Sequence, residues 1–492
     1  MRRGRADHED PVPLLRRDLI RPGDLRCSTS GMHFSFRIMA ESRVPGPTAR
    51  FPGQLLLAFR RDPLGLLQRM AREYGDVSLV RLGNRRVYLL NHPDLIKDLL
   101  VTEHRRFHKG RGLELAKHLL GDGLLTSEGE FHRRQRRLVQ PAFHQQRTAL
   151  YATAMVEHAE RTSQRWAELA RTSTPPVVDI HQEMMRLTLG IVGKTLFGTE
   201  VEDQAQEIGQ AIATSMELFR SFTTLPFAPL LEHLPLPSTW RFLKARARLD
   251  ATIYRLIQAR RSTAEDRGDL LSMLLLAQDD EGSGSMSDRQ VRDEAMTLFL
   301  AGHETTANAL TWTWYLLSQD PNVETRLHQE LDQVLGDRRA AVEDMPRLPY
   351  TWRILAEAMR LYPPAWVIGR RAIEDYEVAN YRILKGSILL ASQWVTHRDP
   401  RFFPDPDRFD PDRWTDQARA ARPRFTYFPF GAGPRICIGE QFAWLEGVLV
   451  LATLARRWRP RLLPGHSVVL QPSITLRPRG GMKMVLESSS AH

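Results

Sequence analysis

The chain has 492 residues, of which 42% are hydrophobic, and no long low-complexity tract interrupts it. This length and composition predict a globular protein with a large buried core and exclude a fibrous or wholly disordered chain. The formal net charge of +11 comes mostly from arginine, but the basic residues are spread along the chain without a zinc-finger or RNA-binding signature, so we expect no nucleic-acid partner.

The N-terminal 43 residues differ from the rest of the sequence. They mix both charges with Pro and Gly, and they contain no apolar run of the roughly 18 residues that a membrane span requires. We predict a basic, disordered extension over 1–43, or sequence upstream of a true start at Met39, followed by a single domain over 44–492. We expect neither a membrane anchor nor a secretory signal.

The next segments predict a mainly helical protein with an early small sheet. Apolar residues recur at helical spacing over 62–76, and 77–91 alternates like two short strands around a turn at Gly83 and Asn84. Long amphipathic stretches at 149–172, 180–197, 203–222 and 238–263 predict helices. Proline-rich breaks join some of these stretches.

The clearest helix signal begins at Ser287. Ser287 and Gln290 form the S-x-x-Q capping pattern, which predicts a helix start near Asp288. Nothing breaks the run before 318–322, so the helix spans roughly 30 residues, and its apolar surface nearly all round predicts a buried central helix.

A polar insertion interrupts the middle of this predicted central helix. Gly302, Glu304, Thr305 and Thr306 lie in a segment that otherwise consists of apolar residues. A structural interpretation is available, because Thr can bond back to the carbonyl four residues earlier and Gly permits close packing. A functional interpretation is also open at this point. Burying the charge of Glu304 is costly, which favours a role for this residue beyond packing.

Glu357 and Arg360 lie three apart, a spacing that permits an ion pair on one helical face. The spacing alone is weak evidence, since exposed pairs contribute roughly 0–1 kcal/mol. The following segment 402–414 is dense in proline and aromatic residues, which predicts a rigid meander from which Arg413 can reach back to Glu357.

The segment FGAGPRICIG, residues 430–439, places Cys437 between glycines just before a predicted helix that begins at Glu440. Cys27 is far away in the sequence, so we predict that Cys437 is a free thiol in a reducing compartment, with its pKa lowered by the helix amides. Zinc lacks further ligands at the right spacing, and a nucleophilic Cys lacks a positioned His. A thiolate ligand to haem iron fits best, with Phe430 over the sulfur and the glycines allowing close approach of a flat group.

Four motifs resemble those of the cytochrome P450 family. FGAGPRICIG resembles the family's haem-binding loop, AGHETT its central-helix motif, EAMR its E-x-x-R motif and FDPDRW its P-E-R-F segment, in the family's order. The resemblance covers about 44 to the end of the chain. It implies an α+β fold, mainly α with small β-sheets, that holds haem b between the central helix and the cysteine loop.

The resemblance also implies residue roles. Cys437 would be the axial ligand of the haem iron, Phe430 would shield it, and Glu357, Arg360 and Arg413 would form a structural triad. Glu304 and Thr305 would relay protons during dioxygen activation. Their presence argues against fatty acid peroxygenases and hydroperoxide-rearranging enzymes. The remaining cofactor-binding positions are Gly431, Gly439, Arg435, Arg370, Arg136 and His132, the last standing where the family usually has Trp.

The implied function is a haem-thiolate monooxygenase that takes O₂ and electrons from a separate ferredoxin or flavodoxin with its reductase. A basic segment at 132–137 suits an acidic electron carrier. We expect a cytoplasmic monomer acting on an apolar small molecule, with a terpenoid slightly favoured over a fatty acid. The predicted pocket residues are Leu298, Ala301, Pro364, Ala365, Trp366, Val367 and Ile474.

Two other functions remain open from the sequence. One is a haem-thiolate isomerase or dehydratase that uses no oxygen. The other is a non-catalytic haem protein that binds a ligand or senses a gas. The fold alone does not fix the substrate.

Overall fold

A computed structural model describes residues 44–198, 237–263, 267–277 and 286–489. The predicted extension 1–43 and the predicted helix 203–222 lie outside these described residues. The described residues belong to one compact unit.

The described α-helices are numbered here in chain order. They are α1 (Gln54–Arg61), α2 (Pro63–Tyr74), α3 (Pro93–Lys97), α4 (Arg111–Leu120), α5 (Gly129–Val139), α6 (Gln145–Thr172), α7 (Ile180–Phe197), α8 (Pro237–Thr263), α9 (Leu270–Leu276), α10 (Asp288–Gln319), α11 (Pro321–Val334), α12 (Pro349–Leu361), α13 (Gln393–Thr396), α14 (Asp416–Ala420) and α15 (Glu440–Ala455).

The described strands are short. They are β1 (Val77–Leu82), β2 (Arg85–Leu90), β3 (Phe107–Lys109), β4 (Val177–Asp179), β5 (Ile368–Ala372), β6 (Tyr376–Val378), β7 (Tyr381–Ile383), β8 (Ile388–Ala391), β9 (Trp458–Leu462), β10 (Leu470–Pro472), β11 (Leu476–Pro478) and β12 (Lys483–Ser488). The mainly helical fold with small sheets is confirmed.

The helix and hairpin predicted over 62–91 form α2, β1 and β2. The Asp62 carboxylate accepts a hydrogen bond from the Gly65 amide at 2.9 Å, and Pro63 occupies the first helical position, where its missing N–H costs nothing. β1 pairs antiparallel with β2, from Val77 opposite Leu90 to Leu82 opposite Arg85. Gly83 supplies the positive φ of the turn that joins them.

The early hairpin is part of a larger sheet. Its strand order is β1-β2-β8-β5-β3, with β2 and β8 parallel and the other pairs antiparallel. β5 and β8 come from the second half of the chain, so the sheet joins distant segments. A second sheet has the order β4-β12-β9, and β6-β7 and β10-β11 form separate pairs.

Helix α10 is the predicted central helix. The Ser287 and Gln290 side chains make both reciprocal bonds of the capping box, so the helix begins at Asp288 as predicted. It runs for 32 residues and packs against α7, α8, α12 and α15. Trp312 and Leu310 are fully buried in the main hydrophobic core, which α10 shares with α6, α7 and α15. Burying each such side chain contributes about 1.5–3 kcal/mol.

Helices α12 and α15 place the remaining motifs. α12 carries Glu357 and Arg360, and α15 begins at Glu440, where the sequence predicts a helix start. The meander predicted over 402–414 contains only a short 3₁₀ turn at Pro411–Trp414. Within the described ranges, no helix has the length and apolar character needed to cross a membrane.

Candidate functional site

Two motifs that are distant in the sequence line one large cavity, which has a volume of about 1480 Å³. One wall is the middle of α10, including Ala301, Gly302 and Thr305. Another wall is the loop that leads into α15, including Phe430 and Cys437. The chain folds these segments to one site although more than a hundred residues separate them.

The loop before α15 depends on two glycines with positive φ. Gly431 has φ 74° and Gly433 has φ 71°. A side chain on Gly433 would clash with the Leu100 carbonyl, so this position requires glycine for space as well as for conformation. The Cys437 amide donates to the Phe430 carbonyl at 2.9 Å and closes the loop. The backbone thereby fixes the position of the cysteine.

The thiol of Cys437 is free and exposed to the interior cavity. Burial raises the pKa of this thiol to about 11, and the Gly439 amide opposes this only in part. The prediction that the helix start lowers the thiol pKa is therefore wrong for the protein environment alone, because desolvation outweighs the amide. Gly439 lies beside the sulfur, where a Cβ would stand 4.0 Å from Sγ.

Phe430 lines the cavity and packs against the main core. Its ring contacts Trp444 of α15 edge-on, with ring centroids 5.5 Å apart. This contact holds the aromatic ring in place between the loop and the helix. The role of Phe430 as a shield of the sulfur remains a prediction.

Four buried or half-buried cations stand around one side of the cavity: Lys109, Arg136, Arg370 and Arg435. Glu128 forms a short ion pair with Arg435, and the buried Glu294 carboxyl group lies close enough to Lys109 to interact with it electrostatically. Lys109 instead donates to backbone carbonyls, and burial together with Arg435 lowers its pKa to about 7. The group therefore has more positive charge than the protein neutralises.

The three arginines of this group that the sequence predicts as cofactor-binding residues differ from one another in their hydrogen-bond partners. Arg136 donates to the Ile436 carbonyl at 2.8 Å, next to the cysteine. Arg370 is 7% exposed and donates to its neighbour's carbonyl, and burial with Arg435 lowers its pKa to about 10. Arg435 has one buried nitrogen, Nη1, without a hydrogen-bond partner among the described residues. Unpartnered buried donors of this kind indicate a missing anionic acceptor.

His132, at the position where the family usually has Trp, is buried beside these cations. Burial and Lys109 lower its pKa to about 4, so the ring is neutral at physiological pH. Nδ1 lies 3.1 Å from the Leu124 carbonyl, which can only accept, so Nδ1 carries the proton there. Nε2 has no partner in the described structure and no proton to donate in this tautomer. His132, a predicted cofactor-binding residue, therefore offers no ring N–H to an anionic group in this tautomer.

The predicted triad is assembled around Glu357. Arg360 donates to both carboxylate oxygens of Glu357 at 2.8 Å, and both residues are 0% exposed. Arg413 Nε lies 3.3 Å from Glu357 Oε1. The indole of Trp414 also donates to Glu357 at 2.9 Å, a partner that the sequence reasoning missed. The cluster connects α12 to the meander.

The polar insertion in α10 makes structural contacts, and its functional interpretation stays a prediction. Thr305 donates to the Ala301 carbonyl at 2.7 Å, and a Cβ on Gly302 would lie 3.2 Å from Val192 of α7. These are structural roles: back-bonding and close helix packing. Ala301, which is exposed, Thr305, which is half-buried, and Glu304, which is buried, nevertheless line the cavity. Gly302 lines the cavity, and its missing side chain also permits the close approach of α7.

The predicted pocket residues all line the same cavity. They are Leu298, Ala301, Pro364, Ala365, Trp366, Val367 and Ile474. Trp366 is largely buried in a cluster with α2, and its indole donates to the Ser473 carbonyl at 2.9 Å. This hydrogen bond and the packing therefore hold Trp366 in the wall of the cavity.

Comparison with known proteins identifies the family. The family model described as Cytochrome P450 matches residues 44–483. The chain belongs to the cytochrome P450 family. It is 43% identical to "Cyclooctatin synthase" of Streptomyces melanosporofaciens over 89% of this chain and 95% of that one. It is 37% identical to "Cyclooctat-9-en-7-ol 5-monooxygenase" of the same organism over 86% and 92%, and 36% identical to "Pentalenene oxygenase" of Streptomyces avermitilis over 85% and 89%.

Cytochromes P450 bind haem b through a cysteine thiolate, and this chain is an oxidoreductase of the monooxygenase type. The residues present fit that cofactor. Within the described ranges, the cavity is lined by one thiol, that of Cys437, and the unneutralised cations suit the two propionates of a haem, since a guanidinium fork matches a carboxylate. Lys109 belongs to this group but has no sequence signal that separates it from the other basic residues.

A second residue that the sequence reasoning missed is Glu446 on α15. Its carboxyl group is fully buried, and neither oxygen has a hydrogen-bond partner within 3.5 Å in the described structure. Burial raises its pKa to about 8. Glu446 is thus a neutral carboxylic acid near the middle of α10 at physiological pH.

Proposed function

We propose that this P450 inserts one oxygen atom from O₂ into a C–H bond of an apolar terpenoid. The second oxygen atom leaves as water, with two electrons from a separate donor and two protons from solvent. The observation that carries the proposal is that Cys437 and the Ala301–Thr305 segment of α10 line one cavity. This arrangement gives the space that a haem would share with its substrate both a cysteine that would ligate the iron and a threonine hydroxyl.

The cofactor contacts follow from the geometry. Cys437 would ligate the iron, and Arg136, Arg370, Arg435 and Lys109 would neutralise the propionates. When bound, haem b supplies the iron at which dioxygen is activated, and the thiolate favours O–O cleavage. Gly431 and Gly439 have no side chains, so the loop leaves the sulfur of Cys437 accessible to a flat group.

Glu304 and Thr305 would control the protons. The half-buried Thr305 lines the cavity on the face of α10 that also presents Ala301. Glu304 is buried and can pass protons to this hydroxyl from the protein interior. A positioned acid of this type contributes roughly 10²–10⁴-fold to a proton-transfer step.

The substrate class rests on the cavity and the relatives. Leu298, Ala301, Val367 and Ile474 provide an apolar lining. Two of the relatives are named for terpenoids, cyclooctat-9-en-7-ol and pentalenene. We favour a terpenoid over a fatty acid on these grounds.

The direct test is a spectral titration followed by product analysis. Cyclooctat-9-en-7-ol and pentalenene should shift the haem absorption on binding, with palmitic acid as the matched control. Turnover with a surrogate ferredoxin and reductase under ¹⁸O₂ should give product with one ¹⁸O atom. Product that forms equally well without oxygen or reductant would favour the isomerase alternative. Terpenoid binding without any product would favour a ligand-binding protein.

The electron donor is proposed to be a ferredoxin or flavodoxin with its reductase. Helix α5 carries Arg136 on its inner side, beside Ile436, and exposes Arg133 and Arg137 outward. An acidic carrier docked on this basic surface would stand close to the cysteine loop. We further propose a cytoplasmic monomer, and the free thiol of Cys437 is compatible with a reducing compartment.

A further inference from the structure

The hydrogen-bond partner of Glu304 is not the neighbouring Thr305. Glu304 Oε1 accepts a short hydrogen bond from the hydroxyl of Thr475, and Thr305 donates to the Ala301 carbonyl. No hydrogen bond joins Glu304 to Thr305 in the described part of the chain. The carboxyl group of Glu304, the proposed proton donor, is therefore held by a residue 171 positions away in the sequence.

Thr475 is itself oriented by a second buried residue. Asn308 lies one turn after Glu304 on α10, is fully buried, and donates from Nδ2 to Thr475 Oγ1 at 3.2 Å. A threonine hydroxyl has a single proton, so a hydroxyl that accepts from Asn308 is free to direct that proton to Glu304. Asn308 thus fixes the direction of the Thr475 hydrogen bond.

The backbone of the Thr475 turn is also fixed. The turn joins β10 to β11, and the Leu476 amide donates to the Pro364 carbonyl at 2.9 Å. The Trp312 indole of α10 donates to the Leu476 carbonyl at 3.0 Å. The turn therefore cannot shift relative to α10 without breaking these bonds, and Thr475 keeps a defined distance from Glu304.

We propose that Thr475, oriented by Asn308, is the positioning residue of Glu304. It holds the carboxylate in the orientation from which protons pass toward Thr305 and the cavity. The inference rests on the proposed monooxygenase function, and it adds a residue from the C-terminal segment to the proton-delivery machinery. Thr475 touches Glu304 and acts through it.

The test compares Thr475→Val, which removes the hydroxyl at nearly constant volume, with Thr475→Ser, which keeps it. The first readout is infrared difference spectroscopy on photolysis of the carbon monoxide complex. The bands lost in Glu304→Gln identify this carboxyl group. We expect these bands to shift in Thr475→Val and to stay in place in Thr475→Ser. Unshifted bands in Thr475→Val would overturn the inference, and this readout needs no substrate.

The second readout is coupling, measured as product and hydrogen peroxide per NADPH with cyclooctat-9-en-7-ol and a surrogate ferredoxin and reductase. Loss of the hydrogen bond that holds the buried Glu304 carboxyl group should lower coupling about tenfold in Thr475→Val. Thr475→Ser should restore most of it. In a Glu304→Gln background, Thr475→Val should cause no further loss, because the effect passes through Glu304. A further tenfold loss in that background would refute a positioning role.

Thr305→Ala separates this inference from the proposed function. If Thr305→Ala releases peroxide while Thr475→Val stays coupled, the monooxygenase assignment stands and the inference fails. If the wild-type protein forms no oxygenated product, the proposed function fails, and the infrared bands still decide the inference. Should Thr475→Val lose haem, Asn308→Ala tests the same contact, since it leaves the Thr475 hydroxyl but removes the N–H that orients it.

Discussion

At the scale of single residues, Cys437 and Glu446 show burial acting against the charged form of a side chain. The environment raises the pKa of both groups, to about 11 for the thiol and about 8 for the carboxyl. A cysteine binds a metal as the thiolate. Coordination to iron therefore has to stabilise the negative charge on Cys437 that the protein environment alone disfavours. Glu446 has no such compensation and stays protonated.

Cys437→Ser should abolish the long-wavelength absorption of the reduced carbon monoxide complex. A serine hydroxyl does not supply the electron density of a thiolate to the iron. The control is Cys27→Ser, which changes the other cysteine of the chain and should leave the spectrum intact. An unchanged spectrum in the Cys437 variant would contradict the assignment of the ligand.

Glu446→Gln should stabilise the protein at pH 8 more than at pH 5. The folded-state pKa lies above the unfolded value, so the unfolded chain releases its proton from about pH 4.5 while the folded chain retains it up to about pH 8. Stability is therefore lost as the pH rises through this window, by about 3 kcal/mol at pH 7. Glutamine does not titrate, so Glu446→Gln removes the contribution of this residue to the pH dependence of stability.

The measurement is urea unfolding followed by tryptophan fluorescence at both pH values. The exposed Glu377→Gln serves as a control for the change of charge. An equal stability difference between Glu446→Gln and wild type at pH 5 and pH 8 would show that the buried carboxyl does not titrate as described.

At the scale of secondary-structure elements, local signals predicted what depends on neighbouring residues. The Ser287 capping box predicted the start of α10, and the Gly83–Asn84 turn predicted the β1–β2 hairpin, because both involve contacts a few residues apart. The same reasoning missed Trp414 as a partner of Glu357, since indole donation across the meander depends on the path of a loop. Glu357 therefore joins more elements than its E-x-x-R spacing indicates.

Glu357→Ala should prevent folding or haem retention. The change leaves Arg360, which is fully buried, without its carboxylate, and removal of one member of a buried pair costs about 3–5 kcal/mol. Haem content and soluble yield provide the measurement. The control is Arg326→Ala, which breaks a half-exposed pair with Asp412 and should cost at most about 1 kcal/mol. Normal haem content in Glu357→Ala would exclude a structural role for the cluster.

At the scale of the whole molecule, charge is arranged relative to the cysteine loop. Arg136 on the inner side of α5 contacts that loop, while Arg133 and Arg137 face outward. The same helix thus connects a candidate docking surface to the cofactor site. A net charge of +11 adds a long-range attraction for an acidic protein.

Reduction by an acidic ferredoxin should slow at least about tenfold between low and high salt, because screening removes electrostatic steering. Arg133→Gln with Arg137→Gln should flatten this salt dependence. The matched control, Arg69→Gln with Arg72→Gln, makes the same change in charge on exposed positions of α2 and should leave it nearly unchanged. Stopped-flow reduction under carbon monoxide measures the rate. If both double substitutions changed the salt dependence equally, the rate would depend only on the net charge of the protein. That result would contradict a docking surface on α5.

The sequence by itself determined the family, the cysteine loop and, among the described residues, the bounds of α7, α8 and α10 to within about a residue. Each of these depends on residue types at fixed short spacings, such as Cys437 among its glycines. The tertiary structure alone decided which distant groups meet. It pairs β2 with β8, places Lys109 among the arginines, and brings Thr475 to Glu304. It also decided the sign of the Cys437 pKa shift, because desolvation depends on everything packed around a group and not on its neighbours in the chain.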